Sequence, residues 1–326
     1  MRYRRLGRTE LRVSQLSLGT GGPNRLGQSR YLSRRGIDRL LRGALDLGVN
    51  LFDTSGAYED SESLLATALR GIPRERYYLS SKVFPWRKER LLDPSEVRGL
   101  VERSLRHLRS DTLDLLLLHR VTPRDYAEAR DRVLPELERL RAQGKFRFLG
   151  ISESSTRDPQ HRMLQQALED DLFDTIMVTY HPGFEAAEQT VLPRALERDV
   201  GVIGMAAVRH LVPRNAAARS EVLLRTLASL FTAPPRNRDR LFARVRAAYD
   251  DAFRPAAQPL PSVVLGKTRT ALPMPEAVYT FVASHPAVAS VLTGTTNQRH
   301  LERNVAAVSA PALSEEEASE LRSILS

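Results

Sequence analysis

The sequence contains no cysteine, and this absence excludes several kinds of chemistry. Without a thiol, the 326-residue chain forms no disulfide, uses no thiolate nucleophile and holds no metal ion through sulfur. No apolar run approaches the roughly eighteen residues that a membrane span needs. The N-terminal stretch MRYRRLGRTELRVSQLSLG has basic residues but no continuous apolar segment of the kind found in secretory signals. We therefore expect a cytoplasmic protein without a membrane segment.

The chain also lacks a surface pattern typical of nucleic-acid binding. Its formal net charge is +10, but the arginines are interleaved with acidic residues, as in RERYYLSSKVFPWRKER. No stripe combines arginine with the aromatic side chains on which bases stack. We therefore predict no nucleic-acid partner, and we identify no metal site.

Strand and helix patterns alternate along most of the chain, which favours a parallel sheet. A short N-terminal β-hairpin is predicted around GRTE. Eight strands are then predicted, namely QLSLG, VNLFD, YYLSSK, DLLLLH, KFRFLGIS, DTIMVTY, VGVIG and VASVLTG. Eight strands with helical connections are the number that closes an α/β (β/α)8 TIM barrel. We expect one such domain over residues 1–326.

Two of the predicted helices have clear boundary signals. In SRRGIDRLLRGALDLG, Gly48 ends a helix with one apolar face, formed by Ile37, Leu40, Leu41, Ala44 and Leu45. In DPSEVRGLVERSLRHL, Asp93 is suited to the N-cap and Pro94 to the first helical position.

One segment does not fit the repeat. Residues from about 209 to 274 follow the seventh strand and are much longer than a usual connection between a strand and a helix. We interpret them as a long helical insertion at the carboxyl end of the barrel. A substrate lid or partner surface and a helical addition without a catalytic role are both open interpretations.

Four polar residues stand at or just after the ends of predicted strands: Asp53, Tyr58, Lys82 and His119. A parallel barrel exposes its chemistry at the carboxyl ends of its strands. Taken singly, each residue has an ordinary explanation, such as a helix cap, a rim aromatic or a surface lysine. Together they predict a site in which a phenol beside an ammonium group donates a proton to a carbonyl oxygen.

Several segments together resemble the aldo-keto reductase superfamily. They are YRRLGRTELRVSQLSLGTG, NLFDTSGAYEDSESLLATAL, SSKV, LLLLH and VLTGTTNQRHLERNVAAV, and they cover nearly the whole chain in order. The resemblance implies a (β/α)8 barrel that binds NADPH, less often NADH, without a Rossmann motif. Consistent with this, no GxGxxG follows a predicted strand.

The resemblance also implies a role for each of the four residues. Tyr58 would be the general acid that protonates the carbonyl oxygen while hydride reaches the carbon. Lys82 would favour the phenolate, and Asp53 would keep Lys82 charged and oriented. His119 would hydrogen-bond the carbonyl or the tyrosine oxygen.

For the cofactor, the resemblance implies a larger set of positions. These are Gly19, Thr20, Asp53, Ser152, Glu153, Met177, Met205, Gly294, Thr295, Thr296, His300, Arg303 and Asn304. Four of them depart from the family pattern. Glu153 replaces an asparagine and Met177 a glutamine, both of which would hold the nicotinamide carboxamide. Met205 replaces a stacking aromatic, and Arg303 an acidic residue.

Three functions therefore stay open at this point. The first is NAD(P)H-dependent reduction of an aldehyde or ketone to an alcohol, with a small carbonyl compound as substrate. The second is a non-catalytic NADP(H)-binding sensor or scaffold, which the altered carboxamide positions and the insertion motivate. The third is a lyase that uses Lys82 as a Schiff-base nucleophile. The oligomeric state is open.

Overall fold

The structure, a computed structural model, describes residues 1–22, 26, 28, 32–87, 90–211, 262–263 and 272–325. Its strands are β1 Tyr3–Arg5, β2 Arg12–Ser14, β3 Leu16–Gly19, β4 Leu51–Asp53, β5 Tyr78–Val83, β6 Trp86–Arg87, β7 Arg90–Leu91, β8 Leu113–Val121, β9 Phe146–Glu153, β10 Thr175–Thr179, β11 Gly201–Met205, β12 Ser262–Val263, β13 Leu272–Pro273 and β14 Val288–Thr293. Its α-helices are α1 Arg34–Asp46, α2 Ser61–Ala68, α3 Pro94–Leu108, α4 Pro123–Arg132, α5 Leu134–Ala142, α6 Arg162–Asp170, α7 Ala186–Thr190, α8 Leu192–Glu197, α9 Met274–Ser284, α10 Gln298–Ser309 and α11 Glu315–Leu325.

Eight parallel strands close into a barrel, which confirms the predicted fold. Around the barrel the strands follow the order β3, β4, β5, β8, β9, β10, β11 and β14. Every neighbouring pair is parallel, including β14 with β3, which closes the ring in chain order. The carboxyl ends of all eight strands therefore meet at one end of the barrel, where a (β/α)8 fold places its active site.

The N-terminal hairpin packs against the amino end of the barrel. Strands β1 and β2 pair antiparallel, and Leu6, Leu11 and Val13 share one apolar cluster with residues of the barrel interior. Gly7 has a φ of +50°, and a Cβ at this position would lie 2.2 Å from the backbone nitrogen of Gly201. Only glycine permits this backbone to approach so closely in that conformation.

The boundaries predicted for two helices, at Gly48 and at Asp93 with Pro94, are confirmed. Helix α1 begins after Ser33, whose hydroxyl accepts a hydrogen bond from the Gly36 backbone at 3.1 Å. It is followed by Gly48, which has a φ of +88°. Helix α3 begins at Pro94 with Asp93 as its N-cap. The apolar residues predicted to face the core from α1 are all buried, namely Ile37, Leu40, Leu41, Ala44 and Leu45.

Two pairs of consecutive helices meet at a proline. Helices α4 and α5 meet near Pro135, and α7 and α8 meet near Pro193. In both cases the proline lies at the first or second position of the later helix. Proline has no backbone N–H and its ring clashes with the preceding turn, so it starts a helix more readily than it continues one.

The chain divides into two compact units, residues 1–207 with 276–326 and residues 208–275. The predicted helical insertion at about 209–274 lies mostly outside the described residues. Within it, the structure describes a 3-10 turn at Arg209–Leu211 and the antiparallel pair β12 and β13. Among the helices of the described ranges, none combines the length and apolar character that a membrane crossing requires.

Candidate active site

Three adjacent strands bring the predicted catalytic residues together at the carboxyl end of the barrel. Asp53 is the last residue of β4 and pairs in register with Ser80 of β5. Lys82 lies two residues further along β5, and His119 lies near the end of β8, the next strand. Tyr58 follows in the loop after β4. Four residues spread over 67 sequence positions thus share one end of the barrel.

Asp53 and Lys82 form a buried ion pair. Each side chain is only 2% exposed. The Lys82 ammonium group donates one hydrogen bond to Asp53 Oδ2 and another, 2.9 Å long, to the carbonyl oxygen of Thr54. The Ser80 hydroxyl donates to Asp53 Oδ1 at 2.9 Å. Both carboxylate oxygens therefore have a donor, and the ammonium group is held in one place.

The electrostatic environment keeps Lys82 charged. Burial by itself lowers the pKa of a lysine, because the ammonium form loses its hydration. Here the attraction of Asp53 and of the Tyr58 oxygen outweighs burial and raises the pKa of Lys82 above its ordinary value. Lys82 is therefore a fixed positive charge beside the phenol.

Tyr58 is held on three sides. Its hydroxyl oxygen lies 3.2 Å from Nε2 of His119, and the two rings meet edge to face with centroids 5.7 Å apart. The Lys82 nitrogen lies 5.2 Å from the centre of the phenol ring. At Gly21, an added Cβ would lie 2.5 Å from Cε2 of the ring, so backbone packs directly on the phenol. These contacts fix the direction of the phenol oxygen.

His119 is a neutral side chain in this setting. Burial is the largest effect and, with the charges of Lys82 and Arg120, holds the pKa of His119 well below its ordinary value. Its Nδ1 atom is buried and has no hydrogen-bond partner among the described residues. A neutral imidazole carries one donor and one acceptor nitrogen, so His119 can hydrogen-bond an uncharged carbonyl oxygen or the phenol.

A cleft of about 340 Å³ opens directly above Tyr58 and His119. It is lined by Gly22, Ala57, Tyr58, Phe84, His119 and Arg120. The Phe84 ring lies 6.3 Å from His119 and 5.8 Å from Trp86 between ring centroids. The phenol of Tyr58 thus faces a space suited to a small, partly apolar molecule.

A sequence profile described as the aldo/keto reductase family matches residues 15–326. The chain belongs to the aldo/keto reductase family. This result confirms the resemblance seen in the sequence.

Individual relatives agree with this assignment. Methylglyoxal reductase YeaE of Escherichia coli (strain K12) is 34% identical over 165 residues, which cover 50% of this chain and 54% of that protein. The match therefore spans about half of each protein. Two solved structures show the same fold over nearly their whole length. They are aldo-keto reductase AKR11C1 from Bacillus halodurans in its holo form (TM-score 0.70, 22% identity, 100% of this chain and 96% of that chain) and an aldo-keto reductase from Klebsiella pneumoniae in complex with NADPH (TM-score 0.67, 23% identity, 99% and 95%).

Among the predicted cofactor positions, those on β3 and after β14 lie at the same end of the barrel as the four polar residues. The backbone N–H of Thr20 donates to the backbone carbonyl oxygen of Asp53 at 2.8 Å, while the buried Thr20 hydroxyl has no partner among the described residues. Gly294 lies near this segment, because a Cβ on it would be 3.9 Å from the Gly19 carbonyl oxygen. Thr295 and Thr296 follow and are half-buried.

Helix α10 carries the remaining predicted positions of this segment. His300 is exposed in its first turns. Arg303 is about half exposed and forms an ion pair with Glu276 at 2.5 Å. Asn304 is buried and donates its amide to the Thr293 hydroxyl at 3.0 Å. The first turn of this helix contains no acidic residue.

Ser152 and Glu153 have partners within the protein. The Ser152 hydroxyl accepts a hydrogen bond from the Arg120 backbone at 3.0 Å. Glu153 accepts from the Thr179 backbone at 2.7 Å, and its other oxygen lies 2.6 Å from Nδ1 of His161. Both carboxylate oxygens of Glu153 are engaged, which differs from a side chain free to hold a carboxamide. No sequence pattern indicated His161, because its contact with Glu153 forms only in the folded barrel.

The two methionines contact the apolar cluster in the barrel interior. Met177 is 1% exposed and belongs to the apolar cluster in the barrel interior. Met205, at the end of β11, is half-buried and packs against the same cluster. A role for Met205 beside the nicotinamide stays a prediction. The burial of Met177 gives no support to its predicted place beside the nicotinamide carboxamide.

Proposed function

We propose that this protein is an NADPH-dependent oxidoreductase that reduces an aldehyde or ketone to an alcohol. The observation that carries the proposal is the contact between Tyr58 and His119 at the cleft, backed by the buried pair of Lys82 and Asp53. The family assignment supports it. So does the small volume of the cleft, which accommodates a small carbonyl compound.

In this proposal Tyr58 moves the proton. Its hydroxyl hydrogen passes to the carbonyl oxygen, and the phenolate that remains is stabilised by the fixed charge of Lys82. His119 is neutral and orients the carbonyl oxygen through its nitrogen. Asp53 acts through Lys82, because it keeps the ammonium group charged and in position. Each of these roles uses a contact or charge described above.

Residues at the carboxyl end of the barrel are suited to bind a phosphate group of the dinucleotide. The Thr20 hydroxyl, which has no partner among the described residues, lies just after β3. The first turn of α10 offers backbone N–H groups and contains no acidic residue, which suits phosphate. We propose that Thr295, Thr296 and His300 contribute to that phosphate site. When bound, the reduced nicotinamide supplies the hydride that the carbonyl carbon receives. The relative from Klebsiella pneumoniae was solved with NADPH, which favours this cofactor over NADH.

One alternative is disfavoured by the geometry. A Schiff-base lysine must be neutral to attack a carbonyl, whereas Lys82 is buried against Asp53 and its pKa is raised. The sensor or scaffold alternative keeps one supporting observation, since Glu153 is already engaged by His161 and Thr179. It predicts tight binding of NADP(H) without turnover.

The deciding experiment measures NADPH oxidation with a panel of small aldehydes and ketones. We expect turnover in the wild type and a loss of about 100-fold or more in Tyr58→Phe, which removes the proton donor and preserves the ring. NADPH affinity, measured by fluorescence titration, should be the same in both proteins. Tight binding without turnover on the whole panel would contradict the reductase proposal and favour the sensor. The cytoplasmic location stays a prediction that cell fractionation can test.

A further inference from the structure

Two consecutive residues, His119 and Arg120, both line the cleft. In a regular strand, successive side chains point to opposite faces. A strand of a barrel that turns one side chain into the cleft should therefore turn the next one outward toward the helices. The presence of both side chains at the cleft requires a local irregularity in β8.

That irregularity is a bulge between β8 and β9. Leu118 pairs with Ile151, and the next pairing joins Val121 with Glu153. Between these two pairs β8 advances by three residues and β9 by two, so β8 contains one extra residue. Bulges of this kind change the direction of a side chain and are common beside active sites.

The bulge holds Arg120 in an unusual conformation. Its φ is +58°, a left-handed value that is costly for a residue with a long side chain. Ser152, opposite the bulge, accepts a hydrogen bond from the Arg120 backbone at 3.0 Å and donates one to the Leu118 carbonyl at 3.3 Å. The position of Arg120 is therefore fixed by its surroundings and does not depend on a contact of its own side chain.

The charge of Arg120 is not neutralised within the described ranges. Arg87 and Arg90 both pair with Glu96, whereas the guanidinium group of Arg120 forms no ion pair or hydrogen bond with any described residue. Among the described residues that line the cleft, none is acidic. Both carboxylate oxygens of Asp53 already have a donor. Within the described part of the chain, the charge of Arg120 at the cleft therefore has no acidic partner.

We propose that Arg120 binds an oxyanion group of the substrate, so that the substrate class is small carbonyl compounds that carry a carboxylate or a phosphate. This inference rests on the proposed reductase function. A guanidinium group matches the two oxygens of either anion with parallel hydrogen bonds. Since Arg120 and Tyr58 line the same cleft of about 340 Å³, the anionic group lies within a few bonds of the reacting carbonyl.

The test compares charged and neutral substrates of similar shape. Values of kcat/KM are measured with NADPH for 4-oxobutanoate against its methyl ester, and for glyceraldehyde 3-phosphate against glyceraldehyde. The variants are Arg120→Gln and, as a matched control, Arg124→Gln, which removes the same charge from an exposed position on α4 outside the cleft lining. Glutamine, like arginine, has a long unbranched side chain, so the free-energy cost of the left-handed backbone conformation at position 120 stays similar.

We expect one anion to be preferred over its neutral counterpart. Arg120→Gln should lower kcat/KM for that anion by about 10-fold to 100-fold, the effect of losing a hydrogen bond to a charged group. The neutral substrate should change by less than about twofold, which also shows that the variant is folded. Arg124→Gln should change neither. The proposal is overturned if Arg120→Gln changes kcat/KM equally for the charged and the neutral substrate of each pair, or changes neither. The pair in which the anion is preferred shows whether the substrate group is a carboxylate or a phosphate.

A second measurement tests anion binding by Arg120 independently of reductase activity. Trp86 is the only tryptophan and lies 5.8 Å from Phe84 of the cleft, so its fluorescence reports on binding there. Succinate and inorganic phosphate are titrated separately into the protein with NADP+. If no carbonyl is turned over, the reductase proposal fails. In that case, weaker binding of succinate or phosphate by Arg120→Gln than by the wild type would still support the anion site. If the wild type and Arg120→Gln bind each ion equally, the anion site is refuted.

Discussion

The buried pair of Asp53 and Lys82 gives a prediction about stability that can be worked out from its contacts. Asp53→Asn removes the negative charge but keeps an oxygen that can accept from Ser80. The Lys82 ammonium group then loses its charged partner and retains neutral acceptors such as the Thr54 carbonyl. Lys82→Met makes the opposite change, since it leaves a buried carboxylate with only the Ser80 donor. Each variant therefore contains one uncompensated buried charge.

Removing one partner of a buried ion pair costs about 3 to 5 kcal/mol. Because both side chains are 2% exposed, solvent gives little relief. Independent effects would sum to about 6 to 10 kcal/mol in the double variant. The double variant has no buried charge at this position, so we expect it to lose only about 2 to 4 kcal/mol.

The assay is chemical denaturation of the cofactor-free proteins, followed by circular dichroism and by Trp86 fluorescence. Coincidence of the two transitions checks that unfolding is cooperative. The free energies of unfolding of the wild type, both single variants and the double variant form a thermodynamic cycle. If the two single losses simply add in the double variant, the pair is not coupled and the account of a buried, mutually dependent charge pair is wrong.

Three further predictions follow from single contacts. Gly21→Ala places a methyl group against the Tyr58 ring and should lower kcat by about 10-fold or more; unchanged kcat in steady-state kinetics would show that the ring can move. His119 is held neutral, so the unfolded state binds more protons below a pH of about 6.5, and wild-type stability falls as pH decreases from there. Between pH 7.5 and 5.5, the free energy of unfolding of the wild type should fall by about 1.4 kcal/mol more than that of His119→Gln. Equal losses in the two proteins in denaturation experiments would contradict this prediction. Glu153→Gln weakens the contact with His161 and should cost about 1.5 to 3 kcal/mol in denaturation, whereas a smaller loss would mean that the pair is not structural.

Much of the barrel could be predicted because each strand carries its own local signal. Strand Leu113–Val121, for example, has an unbroken apolar run at 115–118, which His119 and Arg120 follow near its carboxyl end. The helix boundaries at Gly48 and Pro94 depend on neighbouring residues alone. The breaks near Pro135 and Pro193 each have a proline in the first turn of the later helix.

The surroundings of the candidate site could not be predicted in the same way. The bulge at Arg120 leaves no mark in the sequence, since it depends on how β8 aligns with β9. The contact of Glu153 with His161 joins a strand end to a loop. The closeness of Gly21 to Tyr58 depends on the path of two loops. Such features arise from pairing between distant segments, and sequence patterns report only local preference.

The hairpin at residues 3–14 has a consequence for how the protein is made. The Arg4 guanidinium group donates to the carbonyls of His285 and Val288 at 2.9 and 2.7 Å, and Arg5 pairs with Asp199. These partners leave the ribosome about 200 to 280 residues after the hairpin itself. The hairpin is therefore synthesised well before the segments that hold it in place, and until then its apolar side chains need protection from other nascent chains.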